Sequence, residues 1–152
     1  MVEVYLFRGL PDGRLAYRCA AGQLREAESP DQAALRIGGR AAGEGDLSLA
    51  VHSTSWRHRP DGAIILAYAV LPDPCPHLPA APLADTEIAR GPRADRPSPD
   101  HVRRDQVAAH AARHMALITR TDTAVRLVLS AHPELGRALA ELAPALAGEL
   151  TV

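Results

Sequence analysis

Between Pro72 and Pro99 the chain carries eight prolines. Each one removes a backbone donor and locks φ, so neither a helix nor a central strand can run through this stretch. The segment predicts a surface-crossing loop over 72–99, ordered or partly mobile, and a candidate lid. It divides a front part, 1–75, from a back part, 99–148. With 152 residues and 16.2 kDa, the two parts are expected to form a single domain around one core.

The front part reads as strands. Val2 to Arg8 and Arg14 to Ala20 are short β-prone runs around Pro11-Asp12-Gly13, a turn signal, and predict a hairpin. Leu47 to Ser53 alternates apolar and polar residues, and Ala63 to Leu71 is an almost unbroken apolar run. Arg59-Pro60-Asp61-Gly62 suits the turn between them, and the even hydrophobicity of the later run predicts a strand covered on both faces. Between the two pairs, Ser29-Pro30-Asp31 offers an N-cap and a first-turn proline, and Gly38-Gly39 ends the helix so begun.

The back part reads as helices. Ser98-Pro99-Asp100 repeats the start signal, and Val107, Ala111, His114, Met115 and Ile118 form one helical face. Shorter helices are expected at about 122–131 and 134–147, broken by His132-Pro133 and stopped by Gly148. The fold class expected is α+β: a mixed sheet from the first 75 residues, helices packed on it, and a helical C-terminal third.

Composition excludes several functions. A formal net charge of −1 and a pI near 6.6 supply no global field toward a nucleic-acid polymer or an anionic membrane. No apolar run is long enough to span a bilayer, and the N-terminus lacks a signal-peptide layout, so a cytoplasmic protein without a membrane partner is expected. All 17 basic residues are arginine, the mark of a GC-rich genome, and without lysine neither Schiff-base chemistry nor a P-loop can operate. Cys19 and Cys75 lack metal or redox spacing and are expected as free thiols. Arg90, Arg93, Arg96, Arg103 and Arg104 form either an anion site or a solvated surface balanced by Asp95, Asp100 and Asp105.

The order of strand pair, helix, alternating strand, Pro-Asp-Gly turn and long apolar strand resembles a Nudix domain over roughly residues 1–75. Gly22, Glu28, Arg36 and Gly43 stand at the intervals of that family's signature. The resemblance implies a metal-assisted hydrolase of phosphoanhydrides. The signature's later glutamates, however, fall on Ile37, Arg40 and Ala41, and its aliphatic position falls on Gly38. In the family those carboxylates hold the divalent ion against a diphosphate, so this chain lacks the usual ligands. The resemblance therefore implies a domain that binds a small phosphorylated or nucleotide-like ligand, or serves as an interaction module, with no cofactor. The opposing reading is a working hydrolase of phosphoanhydrides whose metal, Mg²⁺ or Zn²⁺, is held by displaced ligands, Glu28 with Glu26 or Glu44, or by the histidines.

Two groups of residues are candidates for the chemistry. His52, Ser53, Ser55, Trp56 and Arg57, with Thr54 and His58, end an expected strand; Trp56 and Arg57 could stack a base or clamp a phosphate, or Trp56 could anchor the core. Arg36 and Glu28 complete this ligand-binding set. His110 and His114 are one helical turn apart and could chelate a transition ion such as Zn²⁺, with His52, His101 or Asp105 as third ligand, making a histidine-centred metalloenzyme. The preferred reading makes His114 a core histidine with one hydrogen bond satisfied and places His110 at the edge of the apolar stripe. The Ala/Leu-rich C-terminal helices suggest a homodimer.

Overall fold

A computed structural model describes residues 1–40, 48–93, 95, 99 and 101–145. The order of elements is β1 (Val2–Gly9), β2 (Leu15–Gly22), α1 (Pro30–Gly38), β3 (Ala50–His58), β4 (Ile64–Leu71), β5 (Ala81–Pro82), α2 (Arg104–Thr121), α3 (Thr123–Ser130) and α4 (Pro133–Ala140). The fold is α+β. Its mixed sheet runs β3-β4-β1-β2-β5, with β1 and β4 parallel and the other pairs antiparallel. No helix among the described residues is long and apolar enough to cross a membrane.

Local signals account for most of the boundaries. Gly13 (φ +85°) and Gly62 (φ +81°) turn the two hairpins in a backbone region that L side chains avoid. The Gln32 N–H donates to Ser29 Oγ (3.2 Å) and the Ser29 N–H donates to Gln32 Oε1 (2.9 Å), a reciprocal cap that starts α1. Gly39, at φ +97°, closes the helix.

The sheet is buried on both faces because its pleat divides the apolar residues between two helical layers. Val2, Val4 and Leu6 of β1 and Tyr68 and Val70 of β4 pack with Ala33 and Ala34 of α1. Tyr5, Phe7, Ala67, Ala69 and Leu71 face the other way, onto Ala108, Ala111, Ala112 and Met115 of α2 and onto Leu135 and Leu139 of α4. The long apolar run of β4 is thus a central strand, as its evenness implies.

Three boundaries depart from expectation. β3 begins at Ala50 and continues through His58, whereas the alternating run ends at Ser53; Leu47 lies outside the described residues. As an edge strand, β3 tolerates polar residues that a central strand would not. It also slips register between Ser53 and Ser55, where the Thr54 hydroxyl donates to Ala67 O at 3.2 Å. The long helix starts at Arg104, beyond Ser98-Pro99-Asp100, because Gln106 Oε1 accepts from the Arg103 N–H at 2.9 Å and caps the chain there; Ser98 and Asp100 lie outside the described residues. Finally, α4 ends at Ala140, well short of 147. Pro144 disfavours helical backbone at the residue before it, and Gly148 is outside the described residues.

Candidate functional site

The segment resembling the Nudix signature can be followed position by position. Gly22 ends β2 and lies against Ile37: a Cβ there would come within 3.0 Å of Ile37 Cδ1. Gly38 packs on Leu6, and Arg40 follows the helix; Ala41, Gly43 and Glu44 lie outside the described residues. Glu28 is fully engaged. Its two oxygens accept from Arg36 Nε at 2.6 Å and Arg36 Nη2 at 2.7 Å, and Oε2 also accepts from the Arg25 N–H. Those bonds pull the Glu28 carboxyl down to about 2, and the same pairing raises Arg36 further. Arg36 Nη2 also donates to Gln23 O at 3.0 Å, so the pair ties α1 back to the end of β2.

Residues 52–58 were expected to end a strand and instead form its body. The pleat of β3 sends them to opposite sides of the sheet. His52, Ser55 and Arg57 lie opposite Ala69, Ala67 and Ile65; Ser53, Trp56 and His58 lie opposite Tyr68, Leu66 and Ile64. Arg57 Nη2 donates to Glu3 Oε1 at 2.6 Å, and Glu3 Oε2 accepts from the Tyr5 hydroxyl at 3.0 Å. Burial, assisted by Cys19 and Glu3, pushes Tyr5 upward. Trp56 is 63% exposed and meets His58 edge-on, with ring centroids 5.2 Å apart. Trp56 therefore belongs to the surface rather than the core, and the set is not gathered around one cavity.

The histidines do converge. α2 places His110 and His114 on the side facing β3, where the His52 and His114 rings are 5.0 Å apart and the His110 and His114 rings 5.9 Å apart. His110 Nε2 and His114 Nδ1 are buried without a hydrogen-bond partner. Burial, then His114 and Arg113, lowers His110 to about 4; burial and His52 lower His114, against a backbone hydrogen bond at Thr54. Of the other proposed third ligands, His101 is exposed and Asp105 accepts two hydrogen bonds from Arg103 at 3.0 Å. Among the described residues no group of three or more His, Cys, Asp or Glu side chains could hold a metal ion.

Two of the arginines near the proline-rich segment are seen in ion pairs: Arg93 with Asp95 at 2.6 Å, and Arg103 with Asp105 and, at 3.8 Å, with Asp85. Arg96 is outside the described residues. These pairs are exposed and match a solvated surface.

A cleft of about 360 Å³ opens at the carboxyl ends of the parallel strands β1 and β4. Arg8 and Gly9 form its floor, Pro72, Asp73 and Pro76 one wall, and Ala131 to Leu135 the other. A buried ion cluster shapes it. Asp73, whose side chain is wholly buried, accepts from Arg18 Nε at 2.9 and 3.0 Å and from the Cys75 N–H at 3.0 Å. Arg18 Nη2 also donates to Gly38 O at 2.7 Å, and the Asp73 N–H donates to Phe7 O at 2.7 Å. Arg8 donates to Pro76 O and to Leu78 O, with Asp73 3.8 Å away. Together they strap the chain after β4 across the end of the sheet. On the other wall no side chain caps the first turn of α4, and His132 and Glu134 border the opening.

Volume and position suit a small-molecule site, since ligands of open sheets with parallel strands bind outside the strands' carboxyl ends. Sequence reasoning passed over Arg8, Asp73 and His132. The available signal was charge at the ends of the two most apolar runs, Arg8 near the end of β1 and Asp73 just after β4.

No protein-family model, curated protein or solved structure matches this chain.

Proposed function

We propose that this chain is a Nudix-like domain that binds a small phosphorylated or nucleotide-like molecule and does not hydrolyse it. The observation that carries the reading is the state of Glu28: the one acid kept at a signature position is closed on Arg36 through both oxygens, with Arg25 adding a third donor. A carboxylate so engaged has to give up charge-assisted hydrogen bonds before it can ligate Mg²⁺. Ile37 and Arg40 supply no ligand for a hard cation either.

The cleft above β1 and β4 is the ligand's place in this reading. Arg8 offers a fixed positive charge partly open to solvent, with 21% of its side chain exposed. The first turn of α4 adds backbone N–H groups and the positive end of the helix dipole. In this reading a phosphoryl group sits between them, while Asp73, paired with Arg18, does not repel it strongly. Glu134 on the rim works against a highly charged ligand and favours one with a single exposed phosphoryl group.

The test is a thermal-shift panel of nucleoside mono-, di- and triphosphates, sugar nucleotides and inorganic phosphate, run beside a phosphate-release assay with Mg²⁺ and Mn²⁺. A ligand at about 100 times its Kd should add about 2.7 kcal/mol to native stability. Arg8→Ala should remove that gain, and turnover should be absent. Metal-dependent phosphate release that disappears in Glu28→Gln would reverse the reading in favour of a hydrolase with displaced ligands.

A further inference from the structure

We propose that His110 and His114 chelate one transition-metal ion through His110 Nε2 and His114 Nδ1. The starting point is the pair of nitrogens themselves. Buried polar atoms are nearly always hydrogen-bonded, and two orphans on neighbouring side chains call for a shared partner. His110 is 94% removed from solvent, being 6% exposed. Leaving these nitrogens dry opposes folding, whereas one ion between them would satisfy both at once.

The element geometry suits this. Residues four apart on α2 present their side chains on one face, the spacing by which two helical histidines grip a single ion. Ring centroids 5.9 Å apart leave room for an ion between two imidazoles at ordinary Zn–N distances. His52, on the edge strand and half-buried, lies with its ring 5.0 Å from that of His114. His52 is a neighbour of the pair and not a ligand, since no group of three such side chains among the described residues could hold the ion. Imidazole donors select Zn²⁺, Ni²⁺, Co²⁺ or Cu²⁺ and disfavour Mg²⁺ and Ca²⁺. The cluster shares no residue with the cleft over β1 and β4, so it stands or falls separately from the ligand reading.

Titration calorimetry of the full chain with Zn²⁺ and with Ni²⁺ should give one site per chain, and Mg²⁺ none. His110→Gln and His114→Gln should each weaken that site by at least about tenfold. A control in which the exposed His58, His77 and His101 are all replaced by Ala should leave it unchanged, which separates the cluster from adventitious surface histidines. Circular dichroism establishes that the variants fold. A measurement on the unmodified protein guards against their failing to do so: the Cu²⁺ electron paramagnetic resonance spectrum should carry hyperfine couplings from at least two imidazole nitrogens. The proposal is overturned by the absence of a one-to-one site, by its survival in both Gln variants, by its loss in the surface control, or by a Cu²⁺ spectrum lacking those couplings.

Discussion

Replacing Gly9 with alanine tests the packing that forms the cleft. A Cβ at this position would stand 2.4 Å from Glu134 C and Leu135 N and 2.6 Å from Glu134 O, about 1 Å inside ordinary van der Waals contact. The opposing atoms are backbone, so no side chain can rotate away. Retreat of α4 would pull Leu135, Ala138 and Leu139, which are 2%, 3% and 1% exposed, out of the core. Retreat of β1 would break its ladders with β2 and β4. Two effects compete. Overpacking of this kind costs about 1–3 kcal/mol, while losing the glycine's freedom in the unfolded chain returns about 0.4–1 kcal/mol. The φ of Gly9 lies outside the left-handed region, so alanine meets no conformational penalty of its own. Collision wins, with a net loss of about 1.3 kcal/mol and a fall in Tm of roughly 3–5 °C for a chain of this size. Gly136→Ala in α4 is the matched opposite: its nearest neighbours would be 3.6 and 3.8 Å away, and helix propensity favours it by about 1 kcal/mol. Urea denaturation of both variants decides the matter. A Gly9→Ala protein as stable as the parent would refute the close approach of α4 to β1.

Other outcomes follow from the same contacts. Asp73→Ala strands Arg18 and should cost about 3–5 kcal/mol by denaturant unfolding, whereas Asp12→Ala, breaking the open pair with Arg14, should cost less than about 1 kcal/mol; equal losses would show that Asp73 is not the clamp described. Because Glu28 is held near 2 in the folded chain against an ordinary 4.5, its pairing stabilises the fold fully above pH 4.5 and is lost as pH falls toward 2. Stability curves of the parent and Glu28→Gln should therefore be parallel above about pH 5 and converge on acidification; a constant gap down to pH 2 would contradict an ionic lock. Trp56, the single tryptophan and 63% exposed, should fluoresce as a solvated indole readily quenched by iodide, and Trp56→Ala should change stability by less than about 0.5 kcal/mol. A blue-shifted, shielded emission would instead place it in an interface.

The candidate sites were legible only in part, and the pattern has a cause. His110 and His114 could be paired from their spacing, because one helix carries both. That His52 lies beside them depends on β3 packing under α2, a contact between residues far apart in the chain. The set from His52 to Arg57 looked like one cluster because its members are consecutive, yet a strand alternates its side chains and divides them between two faces. Trp56 reads as a core residue by type, but edge position leaves its face of β3 uncovered.

What the amino-acid order determined alone is the local structure: the turns at Gly13 and Gly62, the Ser29–Gln32 cap, the stop at Gly39, and the two-faced burial implied by the run into Leu71. Each depends on backbone conformation and hydrogen bonds within a few residues. Tertiary structure decided the β3-β4-β1-β2-β5 order, the parallel pairing of β1 with β4, the reach of β3 to His58 and the Arg18–Asp73 clamp. These depend on which distant surfaces exclude water together, and the free energy of that choice belongs to the assembled core rather than to any one segment.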